Sequence, residues 1–349
     1  MRPVLPALAL LAACGPGQQP AAPTRQLPAA TDTIKVADPD VAGAVWLGGD
    51  RWAILTPFSK SVRVLDFKSR TDRPLSRDTT AYIEPFVIYR VADTLYVGDW
   101  AKRRVTLWSL DGKMARSVDA ANALRGTLPR GRDAAGKWYA ELRPLPRSDG
   151  SGNLDSGAVV RWTEGAATVD TVAMLAPFNM ELVSRDGATR YERIVFGGID
   201  QWGVNADGSI WVARARNNRL EQCGPTRGRC TTGPELPDRV LEVTLQDREY
   251  WLQGYPADQR ILARTIPFAI TKPPFERAFA GPDSLIYFEK SRDLTDTLRG
   301  YQELGPSGVA RIELRLPNAQ KILAISGDQI LAIDPIVPGP GHRVLRYRR

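Results

Sequence analysis

Six apolar runs in this sequence end at Thr56, Asp99, Glu141, Arg214, Glu289 and Asp334. If these positions repeat in space, they make a mixed ring of carboxylates and one guanidinium. Asp99 is followed by Trp100 and then by Lys102 and Arg103, so one short loop sets an aromatic ring beside cations. Asn217 and Asn218 occupy the matching corner after Arg214. Two chemistries fit the set. Arginine and tryptophan favour an acidic ligand or a partner protein, held by ion pairs and stacking. Carboxylates with a neutral Asn favour calcium, which takes oxygen ligands; Asp99, Glu141, Glu289 and Asp334 would then serve a hydrolase or lactonase. Solvated loop charge is the plain alternative for all of them.

A second oxygen-rich stretch is DGSGNLD. It places Asp149, Ser151, Asn153 and Asp155 at alternate positions, the spacing of the first half of a calcium loop. Its sixth position is Leu154 where a glycine is expected, and no Glu follows at the twelfth, so the stretch reads as a polar insertion. No cofactor is expected, and calcium is the one candidate. His342 is the single histidine. A His-ligated metal centre needs more than one, and a Ser-His-Asp triad would have to use His342 with no nucleophile motif in view. No glycine-rich phosphate loop is present. The inventory therefore points to a non-enzymatic binding module, with a calcium-dependent hydrolase as the alternative.

Residues from such distant parts of the chain need a repetitive scaffold. The apolar runs begin at Trp52, Leu95, Trp138, Ile210, Leu285 and Ile330, and each follows a turn such as Gly49-Asp50 or Asp207-Gly208. Their spacings are 43, 43, 72, 75 and 45 residues. Those near 44 match a four-stranded propeller blade, and the longer ones add an insertion of about 30 residues. The runs are apolar on both faces, as strands sandwiched between neighbouring blades must be, which makes Trp52, Trp138 and Trp211 core residues. Trp108 and Trp162 read as blade packing, and Trp100 as an exposed ring. Inner strands read at 42–47, 86–91, 201–204, 275–280 and 321–325, with a weak one at 128–133. Third strands read at 61–67, 104–109, 158–163, 219–223, 309–316 and 343–349. The last repeat runs out at Arg349 without a fourth strand, and the alternating segment Asp32–Val36 can supply it, pairing two otherwise open edges. The expected fold is all-β, a six-bladed β-propeller over residues 31–349 closed by an N-terminal strand. The loops after the apolar runs then share one face, with insertions at 143–157, 290–308 and 334–341 and a crossover at 176–198. Leu245–Tyr255 reads as a short helix on that rim.

The segments DWAKRRV, from Asp99 to Val105, and Asn217-Asn218-Arg219-Leu220 resemble the NHL-type repeat, in which a strand ends in Asp and a later Asn-Arg opens the next. Only the second and fourth repeats carry the match, and Arg214 stands where the second has Asp99. The resemblance implies a six-bladed propeller. It implies no single activity, because such folds host lyases, lactonases, receptors and adaptors.

The N-terminus sets the expected location. Arg2, the apolar stretch 4–13 and Leu11-Ala12-Ala13-Cys14 resemble a bacterial lipoprotein signal, with small residues before the cut and a thiol to take the lipid. Residues 1–13 would be removed. Residues 14–30, with Pro16, Pro20, Pro23 and Pro28, would form an extended tether of roughly 50 Å at ~3.1 Å per residue. Cys14 is thus the lipidation site and the membrane a partner, outside the cytoplasm and on the outer membrane where the cell has one. A net charge of +8 would otherwise raise nucleic acid as a partner; export argues against it and leaves an envelope protein or an acidic ligand. Cys223 and Cys230 bracket CGPTRGRC, and an oxidising compartment allows them to clamp a hairpin by a disulfide.

Overall fold

The computed structural model describes residues 19–38, 40–76, 78, 81–120, 124, 127–143, 155–166, 168–185, 188–226, 229–336 and 341–349. The chain begins with two short strands, β1 (Thr24–Gln26) and β2 (Asp32–Val36). The first blade holds β3 (Gly43–Gly48), β4 (Arg51–Thr56), β5 (Ser61–Asp66) and β6 (Thr71–Pro74). The second holds β7 (Pro85–Val91), β8 (Thr94–Asp99), β9 (Arg104–Ser109) and β10 (Met114–Asp119). The third holds β11 (Gly131–Arg132), β12 (Trp138–Leu142), β13 (Gly157–Trp162) and β14 (Asp170–Leu175). A separate hairpin, β15 (Met180–Arg185) and β16 (Ala188–Arg193), precedes the fourth blade of β17 (Gln201–Val204), β18 (Ile210–Arg214), β19 (Arg219–Cys223) and β20 (Cys230–Thr232). Helices α1 (Leu245–Leu252) and α2 (Arg260–Ala263) follow. The fifth blade is β21 (Phe275–Ala280), β22 (Ile286–Lys290), β23 (Leu298–Leu304) and β24 (Ala310–Pro317), and the sixth is β25 (Lys321–Ser326), β26 (Gln329–Pro335) and β27 (His342–Arg348).

The core is six clusters, one at each junction between neighbouring blades. This follows from the second strand of each blade being apolar on both faces: Trp52, Trp138 and Trp211 are all buried, and burying such side chains supplies about 1.5–3 kcal/mol each. Trp108 and Trp162 are buried as well, and Trp100 is exposed, as the sequence pattern predicts. The inner strands line a central channel.

The ring closes as expected. β2 joins the sixth blade antiparallel to β27, from Asp32 opposite Arg346 to Val36 opposite His342. Arg346 staples that seam. Its Nε donates to Asp32 at 3.1 Å, its guanidinium also pairs with Asp50 of the first blade, and it stacks 4.8 Å from the Phe67 ring. The Arg346 hydrogen bond is the main cause holding the Asp32 carboxyl below its usual range. The disulfide Cys223–Cys230 joins directly opposed residues of β19 and β20, closing the hairpin foreseen there.

Two expectations are corrected. The strand 309–316, read as third in its repeat, is the fourth, β24; the third is β23, inside the stretch 290–308 that reads as an insertion. The segment read as a free tether is docked over its later part. β1 pairs parallel with β24, and the Gln19 side-chain amide both donates to the Ala310 carbonyl at 2.9 Å and accepts from its N–H at 3.1 Å.

Candidate functional site

The face that carries the connections after the second strand of each blade, here the upper face, also carries the β15–β16 hairpin and helix α1. Its geometry decides what the strand-end residues can do. The second strand of a blade lies one strand spacing outside the inner one, and its side chains project from the sheet faces toward neighbouring blades, not toward the axis. The six strand-end residues therefore do not meet. Thr56 is buried and donates to the Ser61 carbonyl. Asp99 is fully buried and accepts three backbone N–H groups, from Ile83 at 2.6 Å, Lys102 at 2.8 Å and Glu84 at 3.3 Å. Arg214 pairs with Asp200 at 2.7 Å and with Glu221. Glu289, fully buried, lies between Arg277 at 3.1 Å and Arg299. Asp334 pairs with Arg343 at 2.7 Å. Glu141 accepts from Arg143 Nε at 2.6 Å and from the Trp202 indole at 2.8 Å, with Arg130 at 3.8 Å.

Among the described residues no three His, Cys, Asp or Glu side chains come together as a metal site. Asp149, Ser151 and Asn153, like Cys14, lie outside the described residues; Asp155 is exposed. Among the described residues the His342 ring meets a backbone carbonyl, that of Asp38 at 3.2 Å. Asn217 is half-buried, and Asn218 donates to the Leu236 carbonyl at 3.1 Å. Lys60, Arg103 and Asn218 close the same turn in three blades with φ of 51°, 49° and 42°. Asparagine adopts that left-handed conformation readily, so the Asn of the NHL-like signature serves the turn.

Trp100 stands apart from this set. It is 57% exposed, with Phe86 edge-on at 6.1 Å. Beside it Phe58 is 83% exposed and Ile83 45%. With Pro57 and Pro85 these rings line a groove of about 600 Å³, edged by Lys60, Glu84 and Arg130. The local sequence builds it in one stroke. The Asp99 carboxylate clasps the loop carrying Ile83 and Glu84 to the loop carrying Trp100, and the Trp100 N–H adds a bond to the Glu84 carbonyl at 2.9 Å. Asp99 is thus a positioning residue for the groove, and Arg103 closes the turn that Trp100 opens. Phe58 and Ile83 were not singled out by sequence; the one available signal was a Pro-Phe pair in a turn, which would be idle in the core.

Arg130 lines both this groove and the central channel, a space of about 700 Å³ walled by Trp46, Tyr89, Trp202 and Phe279. Farther round the mouth, Arg143 and Arg193 lie over the Phe178 ring at 4.2 and 4.6 Å. Arg130, Arg143 and Arg193 thus stand near the Glu141 carboxylate. Burial first, then the Arg143 charge, holds the Arg193 guanidinium below its usual range. A third cavity, of about 650 Å³, opens between α1, the segment 194–199 and the fifth blade.

No family model matches this chain, and no curated protein matches it. Solved structures do. A member of the DUF4221 family from Bacteroides vulgatus is 6% identical over 92% of this chain and 97% of its own, with a TM-score of 0.50. A putative exported protein from Bacteroides fragilis is 8% identical over 94% and 98%, at 0.49. Virginiamycin B lyase from Staphylococcus aureus is 10% identical over 91% and 99%, at 0.44. At such identities the likeness is one of fold: an all-β, six-bladed propeller.

Proposed function

We propose that this chain is a non-enzymatic binding module whose upper face takes a partner protein through an exposed segment that is apolar with acidic flanks. The observation that carries the reading is the groove of Phe58, Ile83, Phe86 and Trp100, apolar and open to solvent, edged by two cations, Lys60 and Arg130, against one carboxylate, Glu84, with Arg130 also lining the channel. Large exposed rings gathered in one place mark interaction sites in soluble proteins. The carboxylates that a hydrolase would need are occupied by arginines or backbone N–H groups.

The lipoprotein-like N-terminus supports an envelope setting, with Cys14 as the lipidated residue and the outer membrane as the address where one exists. The docked N-terminal segment adds a direction. Gln19 is held at the start of β24, next to the turn on the lower face. Cys14 lies five residue steps before it, a reach of at most about 18 Å. A lipid there would hold the lower edge of the fifth blade near the bilayer and leave the groove facing away from it.

The test is selection from a random twelve-residue peptide display library on the immobilised full-length protein, with Trp100→Ala and Phe58→Ala run in parallel. Enriched peptides are expected to combine aromatic or aliphatic residues with Asp or Glu, and to bind either variant at least tenfold more weakly while circular dichroism is unchanged. Peptides that bind both variants as well as the parent would overturn the reading.

A further inference from the structure

The cavity beside helix α1 is a separate structure from the groove, and nothing in the blade pattern requires it. Both segments that exceed the four-strand repeat converge on it. The crossover before the fourth blade meets the α1–α2 segment through Val195 N–H to the Pro267 carbonyl at 2.8 Å and Ala269 N–H to the Val195 carbonyl at 2.9 Å. Phe196, next along, has a φ of +60°. A bulky aromatic residue rarely adopts that conformation, and such strain gathers at ligand-binding surfaces.

Some of the charges here only hold the wall together. Thr244 and Asp247 cap helix α1 reciprocally, and the Lys272 ammonium donates to Asp247 at 2.6 Å and to the Arg292 carbonyl at 2.8 Å, tying the helix to the fifth blade. Trp251, on α1, is fixed in the wall against Phe268 at 5.2 Å and Tyr255 at 4.8 Å.

What remains is an aromatic wall and a surplus of donors. Arg193 makes no side-chain hydrogen bond or ion pair with the described residues, yet its guanidinium is held in place over Phe178. Among the described residues Ser291 Oγ is buried with no hydrogen-bond partner, and so is Arg292 Nε, which lies 3.6 Å from a Glu276 carboxylate oxygen. Glu276, 40% exposed, lines the cleft as well; burial first, and then the charge of Glu289, raises its carboxyl above the usual range. The volume of about 650 Å³ suits a small molecule.

We propose that this cleft binds a small aromatic carboxylate, its flat body against Trp251 and Tyr250 and its carboxylate on Arg193. The planar guanidinium matches a planar carboxylate through two parallel N–H bonds; Glu192, which also lines the cleft, pairs with Arg190 at 2.6 Å, so Arg193 is left to take one negative charge. The inference does not depend on the groove.

Isothermal titration calorimetry of the full-length protein with 2-naphthoate at pH 7 tests it, with 2-naphthamide as the neutral control. Saturable one-site binding is expected, at least tenfold tighter for the acid than for the amide. Arg193→Gln is expected to weaken naphthoate at least tenfold, with Arg193→Lys intermediate, and the exposed wall variant Tyr250→Ala to weaken it severalfold. Trp100→Ala is expected to leave it unchanged. The proposal is overturned if there is no saturable heat at millimolar naphthoate, if acid and amide bind equally, if both Arg193→Gln and Tyr250→Ala bind like the parent, or if Trp100→Ala abolishes binding.

Discussion

Replacing Glu289 by alanine removes a buried carboxylate that two arginines share. The carboxylate is fully buried on β22 and is the one carboxylate within 4.0 Å of either Arg277 or Arg299 among the described residues. Arg299 is itself 7% exposed. Lys321 stands nearby and is already held below the usual ammonium range, by burial first and then by Arg277 and Arg299, against the pull of Glu289. Without Glu289 three cations share a buried space with no carboxylate at contact. Removing one partner from a buried pair costs about 3–5 kcal/mol, because the remaining charge keeps its desolvation penalty. An unfolding entropy of about 2.1 cal/mol/K per residue gives roughly 0.7 kcal/mol/K for 349 residues, so the melting temperature should fall by about 4–7 °C. Thermal melts followed by far-ultraviolet circular dichroism at pH 7 read this out, with urea melts as a second measure. Glu289→Leu combined with Arg299→Met should recover much of the loss, since a well-packed apolar pair replaces a buried ion pair at little cost. A loss of under about 1 kcal/mol for Glu289→Ala would refute the reasoning, because it would mean the arginines are hydrated in the folded ring.

Three further outcomes are expected. Cys223→Ser with Cys230→Ser, or reduction of the parent, opens a loop of seven-residue separation and should cost about 2.5 kcal/mol by loop-closure entropy; an unchanged melting temperature would contradict it. Glu276, whose folded carboxyl lies above the unfolded value, contributes stability at low pH that is lost as pH rises through its folded value. Glu276→Gln should therefore melt above the parent at pH 8, the gap vanishing below about pH 4.5, and a gap that widens in acid would show the sign to be wrong. The amides of Leu27 and Thr31 donate to Arg315 and Arg346 carbonyls at 3.0 and 2.7 Å, so hydrogen exchange should find both protected, whereas free-tether rates would contradict the docked segment.

Much of the ring could be read from sequence because the second strand of every blade is apolar on both faces, and the closing strand because Arg349 leaves the last blade one strand short. β23 escaped for the opposite reason. Three of its five buried residues, Arg299, Gln302 and Glu303, are polar and break up the apolar pattern of Tyr301 and Leu304, and their partners lie elsewhere in the chain: Arg299 on Glu289, Glu303 on the Tyr287 hydroxyl and Arg349. A strand whose burial is met by ion pairs leaves no apolar run. β1 escaped because its three residues are exposed and gain order only from the β24 edge. The strand-end residues share a place in the repeat but not a direction toward the axis, and each takes neighbours of its own. Trp100 was legible as a lone aromatic in a cationic loop. Its neighbours were not, because Phe58 and Ile83 arrive from separate loops that only the Asp99 clasp brings together.

The central claim is that the exposed groove on the upper face is the working surface. Trp100 leaves 57% of its surface to solvent; of the ~250 Å² a tryptophan can bury, a partner covering the remainder would gain up to about 3.5 kcal/mol at ~25 cal/mol/Å². The direct measurement is fluorescence anisotropy of one display-selected acidic peptide titrated with the parent and with Trp100→Ala, at low and high salt. The account predicts a loss of tenfold or more on substitution, at unchanged melting temperature, and weaker binding to the parent as salt screens Lys60 and Arg130. Equal affinity for both proteins at both salts would contradict it.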